Sequence, residues 1–148
     1  MADITIVVGT VYGGTQAIAK LAASMLKRAG HSSTVLLEPE LEQLKEAEQL
    51  LVMTATTGQG EVPDNIKPLV SALQEQTPDF NAKPYGFIAF GDRGYGKTYC
   101  AAGKLVNSLL AKFNCAEMLP CLEVDAVEYL DPEEPVVPWL RDYIGCLT

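Results

Sequence analysis

Ile4-Thr5-Ile6-Val7-Val8-Gly9-Thr10-Val11-Tyr12-Gly13-Gly14-Thr15-Gln16-Ala17-Ile18-Ala19 runs from an apolar stretch into a loop of Gly and Thr, after which apolar residues return at helical spacing. This reads as a strand–loop–helix unit. A helix that opens in this way presents N–H groups without intrahelical partners, which suit an anion. The loop contains no Lys, Arg, Asp or Glu, and the first charge after Asp3 is Lys20. A phosphate held here must be held by backbone dipoles and hydroxyls, without a cationic side chain.

Working outward, strands and helices alternate. Strands are predicted at Ile4–Val8, Ser33–Leu37, Leu50–Thr54, Tyr85–Phe90 and Glu117–Val124. Helices are predicted at Thr15–Ala29, Pro63–Glu75, Tyr99–Phe113 and Pro135–Leu147, with a short helical turn around Glu40–Ala47. The first helix places Ile18, Leu21, Ala22, Met25 and Leu26 on one face and stops at Gly30, a natural C-terminal cap. Strands one, three and four are apolar nearly throughout, as expected when helices cover both faces of a sheet. Five such units without repeats or linkers predict a single α/β domain over residues 1–148, built on a doubly wound parallel sheet.

The composition narrows the function. The chain has 148 residues, 48% of them hydrophobic, and a net charge of −8, which disfavours nucleic acid and anionic membranes and favours a basic protein surface. No apolar run approaches the ~18–20 residues of a membrane-crossing helix, and Met1-Ala2-Asp3 leads straight into the first strand without room for a signal peptide. Cys100, Cys115, Cys121 and Cys146 form no CxxC pair, so free thiols in a reducing cytoplasm are expected. His31, the only histidine, follows the first helix and belongs on the edge away from the strands' carboxyl ends. No Ser–His or Cys–His nucleophile and no His-based metal site can be assembled at the ligand edge.

Ligands of such sheets collect at the carboxyl ends of the strands, which here carry three loops rich in Gly, Thr or Tyr. The first, Thr10-Val11-Tyr12-Gly13-Gly14-Thr15, is similar to the [ST]-x-[ST]-G-x-[ST] loop of the flavodoxin family at Thr10, Gly13 and Thr15, with Tyr12 in place of a small hydroxyl residue. The second, Ala55-Thr56-Thr57-Gly58-Gln59-Gly60-Glu61-Val62-Pro63-Asp64-Asn65, resembles the flavin-ring loop of FMN domains, [AS]-T-x-G-x-G-[DE]-x-P. The third, Gly91-Asp92-Arg93-Gly94-Tyr95-Gly96-Lys97-Thr98-Tyr99-Cys100, resembles the family's G-[DN]-x-x-Y-x-x-[FY]-C with one extra residue between Tyr95 and Cys100.

The resemblance extends over essentially the whole chain and points to the short stand-alone flavodoxins of the MioC and YqcA type. It implies a flavodoxin-like three-layer sandwich, a five-stranded parallel sheet in the order 2-1-3-4-5 with helices on both faces. It also implies FMN as cofactor. Its phosphate would lie in the first loop, with Thr56 at the ribityl–phosphate end and Thr57 and Gly58 along the ring edge. A glycine at 58 lets the Gly58–Gln59 peptide reverse cheaply. Tyr95 would stack on the ring, and backbone around Asp92 and Cys100 would meet the pyrimidine edge. Ala55, Gly60, Gly91 and Tyr99 complete the set of expected contacts.

The implied function is electron transfer without a substrate of its own. A monomer would shuttle single electrons between a basic-surfaced reductase and acceptor enzymes. Acids near the ring discourage added charge: one unit charge at about 10 Å and an effective dielectric of about 20 amounts to about 1.7 kcal/mol, or roughly 70 mV. From Glu117 onward eight acids face one arginine, and part of that surface suits docking to a basic partner. Two alternatives remain open at this level. One is a flavin-dependent NAD(P)H–quinone reductase on the same fold. The other is a nucleotide-binding P-loop at Gly91–Thr98, which fits G-x-x-x-x-G-K-[ST]. A phosphoacceptor receiver lacks its carboxylates after strands one and three, and a dinucleotide fold lacks GxGxxG after the first strand.

Overall fold

A computed structural model describes residues 1–10, 13–57, 60–92, 94, 96 and 99–147. In chain order the elements are β1 (Asp3–Gly9), α1 (Gly14–Arg28), β2 (Ser32–Leu36), α2 (Leu41–Glu46) and β3 (Gln49–Thr54). A 3-10 turn (Asp64–Ile66) leads into α3 (Lys67–Gln76), and β4 (Lys83–Gly91), α4 (Ala101–Lys112), β5 (Cys115–Glu117), β6 (Leu122–Asp125) and α5 (Glu133–Gly145) follow. The strands are parallel in the order β2-β1-β3-β4-β5, with β6 also paired to β4.

Alternation along the central strands builds the three layers. Ile4, Ile6 and Val8 of β1, Leu51 and Met53 of β3, and Ile88 of β4 pack with Ala22 and Leu26 of α1 and Leu140 and Tyr143 of α5. Their neighbours Val7, Leu50, Val52, Tyr85, Phe87 and Ala89 face the other way, into a core with α2, α3 and α4. Both faces are therefore dry, which explains the nearly unbroken apolar runs.

Helix ends follow local chemistry. Gly30 has φ +89, its N–H donates to the Lys27 carbonyl at 3.0 Å, and His31 N–H donates to the Leu26 carbonyl at 2.9 Å. This paired closure needs a left-handed residue, which Gly supplies without strain. At the start of α5 the Asp131 carboxylate accepts the Glu133 N–H at 3.0 Å, so the helix begins two residues before the expected Pro135.

The fifth position of the sheet is filled by two short strands instead of the one expected at Glu117–Val124. Between the pairs Tyr85↔Glu117 and Ile88↔Leu122, β4 advances three residues while the edge chain advances five. The two surplus residues bulge out around Pro120, which has no N–H to give to the ladder. The Trp139 indole N–H donates to the Pro120 carbonyl at 3.0 Å and pins the bulge to α5.

Candidate functional site

The first loop leaves β1 through a contact only glycine allows. A Cβ on Gly9 would lie 2.3 Å from Thr54 Oγ1 and 2.8 Å from Ile66 Cδ1. Thr10 follows, its N–H donating to Asn65 Oδ1 at 3.0 Å and its Oγ1 accepting the Gly13 N–H at 3.1 Å. Gly13 has φ +85 and precedes α1 without any side-chain cap. The first turn of α1 carries no acid, and among the described residues a Cβ on Gly13 or Gly14 would meet nothing within 4 Å. The opening of α1 thus offers N–H donors to open space with no carboxylate competing for them. That donor set fits a dianionic phosphate. Thr15 is buried directly behind.

The second loop is tied to both of its neighbours. Ala55 N–H donates to the Gly9 carbonyl at 2.8 Å, extending the β1–β3 ladder into the loops. Thr56 Oγ1 accepts the Ala102 N–H at 3.3 Å, so this hydroxyl, expected at the ribityl–phosphate end, caps the start of α4. Thr57 and Glu61 form a small antiparallel bridge, closed by Glu61 N–H to the Thr57 carbonyl at 2.8 Å, with Gly60 at φ +96. Asp64 pairs with Lys67 at 2.7 Å on the exposed rim. The charge of Asp64, an acid of the second loop, is therefore partly neutralised.

The third loop folds back on itself. A Cβ on Gly91 would sit 2.7 Å from Cys100 N, and Gly94 N–H donates to Asp92 Oδ1 at 2.7 Å. Cys100 takes up a left-handed conformation (φ 52, ψ 23) and is fully buried, its thiol 3.7 Å from the Ala89 carbonyl. Burial pushes this thiol up to about 11, so it is no thiolate nucleophile at neutral pH. Tyr99 is half-buried against the same core, with Lys104 Nζ 5.5 Å from its ring centroid, and burial holds its phenol above the usual range. On the opposite edge His31 Nδ1 accepts the Ala2 N–H at 2.9 Å, away from all three loops.

The structure therefore brings Thr10, Gly13, Gly14, Thr15, Ala55, Thr56, Thr57, Gly60, Gly91, Asp92, Tyr99 and Cys100 to the carboxyl edge of the sheet. The expected contacts Val11, Tyr12, Gly58, Gln59 and Tyr95, and Lys97 and Thr98 of the P-loop pattern, lie outside the described residues. The helix after that pattern begins at Ala101, beyond Thr98 by three residues, whereas a P-loop opens its helix at the Lys-Ser/Thr pair itself. Asn65 was not among the expected contacts. It closes the quoted second loop, but its three hydrogen bonds to other segments leave no mark in the sequence.

Comparison with known proteins agrees with this geometry. The Flavodoxin family model matches residues 6–139. The chain is 44% identical over 143 residues to Flavodoxin YqcA of Pectobacterium carotovorum subsp. carotovorum, covering 95% of this chain and 94% of that protein. It is 35% identical over 147 residues to Protein MioC of Escherichia coli K12, covering 99% of each. Among solved structures, a cysteine-to-serine variant of the flavodoxin of Pseudomonas aeruginosa superposes with a TM-score of 0.90 at 37% identity over 98% of both chains. A Fusobacterium nucleatum flavodoxin bound to flavin mononucleotide shares the fold with a TM-score of 0.82 at 16% identity, over 100% of both chains. With strand order, loop placement and these likenesses in agreement, the chain belongs to the flavodoxin family, beside the short-chain MioC and YqcA proteins.

Proposed function

We propose that this chain is one FMN-binding domain, residues 1–148, that carries single electrons between a basic-surfaced reductase and acceptor enzymes. It has no substrate of its own and works as a monomer in the cytoplasm, a compartment compatible with its four unbridged cysteines. Bound FMN supplies the one-electron chemistry, and the protein supplies position and charge.

Each group of residues has a distinct task. Thr10, Gly13, Gly14 and Thr15, with Val11 and Tyr12 between them, hold the phosphate through N–H groups and hydroxyls. Thr56 lies at the ribityl–phosphate end, and Ala55, Thr57, Gly58, Gln59 and Gly60 border the ring from one side. Gly91, Asp92, Tyr95, Tyr99 and Cys100 border it from the other. Glu61 and Asp92 place negative charge at the rim, which opposes the addition of an electron and suits a basic partner.

The observation that carries this reading is the start of α1. Its first turn has no acid, and Gly13 and Gly14 face open space at the edge where all three loops converge. The Fusobacterium flavodoxin, which binds flavin mononucleotide, has the same fold, and this supports FMN as the ligand.

The test is a visible absorption spectrum of the purified protein, followed by identification of the released chromophore. A yellow protein that releases FMN, or takes it up after removal, is expected. A protein that stays colourless after incubation with FMN and retains ATP through Lys97 overturns the reading. Steady quinone reduction by NADPH without an added reductase overturns the carrier assignment in favour of an enzyme.

A further inference from the structure

Asn65 stands outside the phosphate loop, yet its side chain is bonded to three other segments. Its Nδ2 donates to the Val8 carbonyl at 2.6 Å and to the Leu37 carbonyl at 2.8 Å, while its Oδ1 accepts the Thr10 N–H at 3.0 Å. The two carbonyls can only accept, which fixes the orientation of the amide and leaves the oxygen for Thr10. One side chain thus joins the end of β1, the residue after β2, the first position of the phosphate loop and the 3-10 turn that follows the ring loop.

We propose that Asn65 is a positioning residue that sets the phosphate loop before any ligand arrives, a reading that rests on the flavin function given above. By holding the Thr10 N–H it fixes the Gly9–Thr10 peptide plane. That plane directs the Thr10 hydroxyl, which in turn accepts the Gly13 N–H and holds the turn into α1. The N–H groups of Gly14 and Thr15 at the opening of α1 are then set for the anion without reorganisation, which lowers the entropy that binding must overcome. Because the loop contains no cation, geometry is its main means of holding a phosphate, and the clamp acts on geometry. Asp at this position would set carboxylate oxygens against the Val8 and Leu37 carbonyls and add charge beside a dianion.

The experiment compares FMN with riboflavin, which lacks the phosphate, on flavin-free wild-type protein and on Asn65→Ala and Asn65→Asp. Fluorescence titration should show the FMN dissociation constant rising about tenfold in Asn65→Ala, equivalent to about 1.4 kcal/mol, and further in Asn65→Asp. Riboflavin affinity should stay within about twofold. A role confined to general stability weakens both flavins equally and overturns the clamp, as does an unchanged FMN affinity. If the wild type binds neither flavin, the flavin function itself fails and the clamp falls with it.

Amide exchange in flavin-free protein gives a second readout that needs no ligand. The Thr10 amide should be protected in the wild type and should exchange at least about tenfold faster in Asn65→Ala. A Thr10 amide already exchanging freely in the wild type overturns the proposal. Should Asn65→Asp fail to fold, Asn65→Ser serves in its place with the same expected ratio of FMN to riboflavin affinity.

Discussion

Gly13 and Gly14 are adjacent and equally open, yet substitution by Ala should act on them in opposite directions. At both, a new Cβ meets no atom of the described residues within 4 Å, so no steric contribution from them enters. What differs is the backbone. Gly13 sits at φ +85, where an L residue is disfavoured by about 1–2 kcal/mol. Gly14 is the first residue of α1, where Ala limits the freedom of the unfolded chain and stabilises by about 0.4–1 kcal/mol. For a domain of this size each kcal/mol moves the melting midpoint by about 2–4 °C. Gly14→Ala should therefore melt about 1–4 °C above wild type.

Gly13→Ala has two ways to express its strain. If the loop keeps its shape, the flavin-free protein melts about 2–8 °C lower and flavin affinity is unchanged. If the loop relaxes, stability is retained and FMN binding weakens by about 5–30-fold, because binding must restore the disfavoured φ. The two losses together should come to about 1–2 kcal/mol. Circular dichroism melts of flavin-free protein and fluorescence titration with FMN measure them separately. A Gly13→Ala protein equal to wild type in both, or a Gly14→Ala protein less stable than Gly13→Ala, would refute the reasoning.

Three further outcomes follow from burial. Only Cys146 among the four thiols is exposed, and Cys100, pushed up to about 11, is thiolate in about one molecule per thousand at pH 8, so brief iodoacetamide treatment of the native protein should label Cys146 alone by mass spectrometry. Burial raises Tyr85, Cys115 and Cys121 to about 12 from ordinary values of 10.0 for the phenol and 9.0 for the thiols, so the unfolded chain loses these protons first. The stability they represent is intact below about pH 9 and drains away as pH climbs towards 12. A melting midpoint that stays level across that window would contradict the assignment. Gly103→Ala would bring a Cβ to 2.4 Å from the Ala89 Cβ where α4 crosses β4, destabilising by about 1–3 kcal/mol in a denaturant titration, and Ala89→Gly in the same chain should recover most of the loss.

What the sequence displays, and what it conceals, divides by the range of the interaction. Ile4–Val8, Leu50–Thr54 and Tyr85–Phe90 could be read as strands because burial on both faces demands apolar residues at successive positions. Gly30 could be read as a helix end because its left-handed conformation is a local property. The bulge at Met118–Cys121 could not, because surplus residues are visible only against the register of β4, although Pro120 marked the place. The three loops were legible from their Gly and Thr content, yet the partners of Thr56 and Asn65 lie about 46 and 55 positions away in sequence, at Ala102 and Thr10. The left-handed Cys100 was equally hidden, since nothing local favours a thiol there and only the close approach to Gly91 explains its place.

The sheet order itself explains why the second loop holds the site together. β3 lies between β1 and β4, so of the three loops only the one leaving β3 borders both others. Among the described residues its two side-chain ties to these neighbours divide accordingly: Asn65 reaches back to the β1 loop, and Thr56 reaches forward to the start of α4. This arrangement makes the two ties separable. Thr56→Val removes the acceptor for the Ala102 N–H and should shift amide resonances around Cys100–Gly103 while leaving Thr10 and Gly13–Thr15 unmoved. Asn65→Ala should show the reverse pattern. Each loses neutral hydrogen bonds worth about 0.5–1.5 kcal/mol apiece, small enough for the fold to survive and the map to be read. If either variant disturbs both neighbouring loops alike, the loops move as one body, and the assignment of separate ties to separate sides of the ring is wrong.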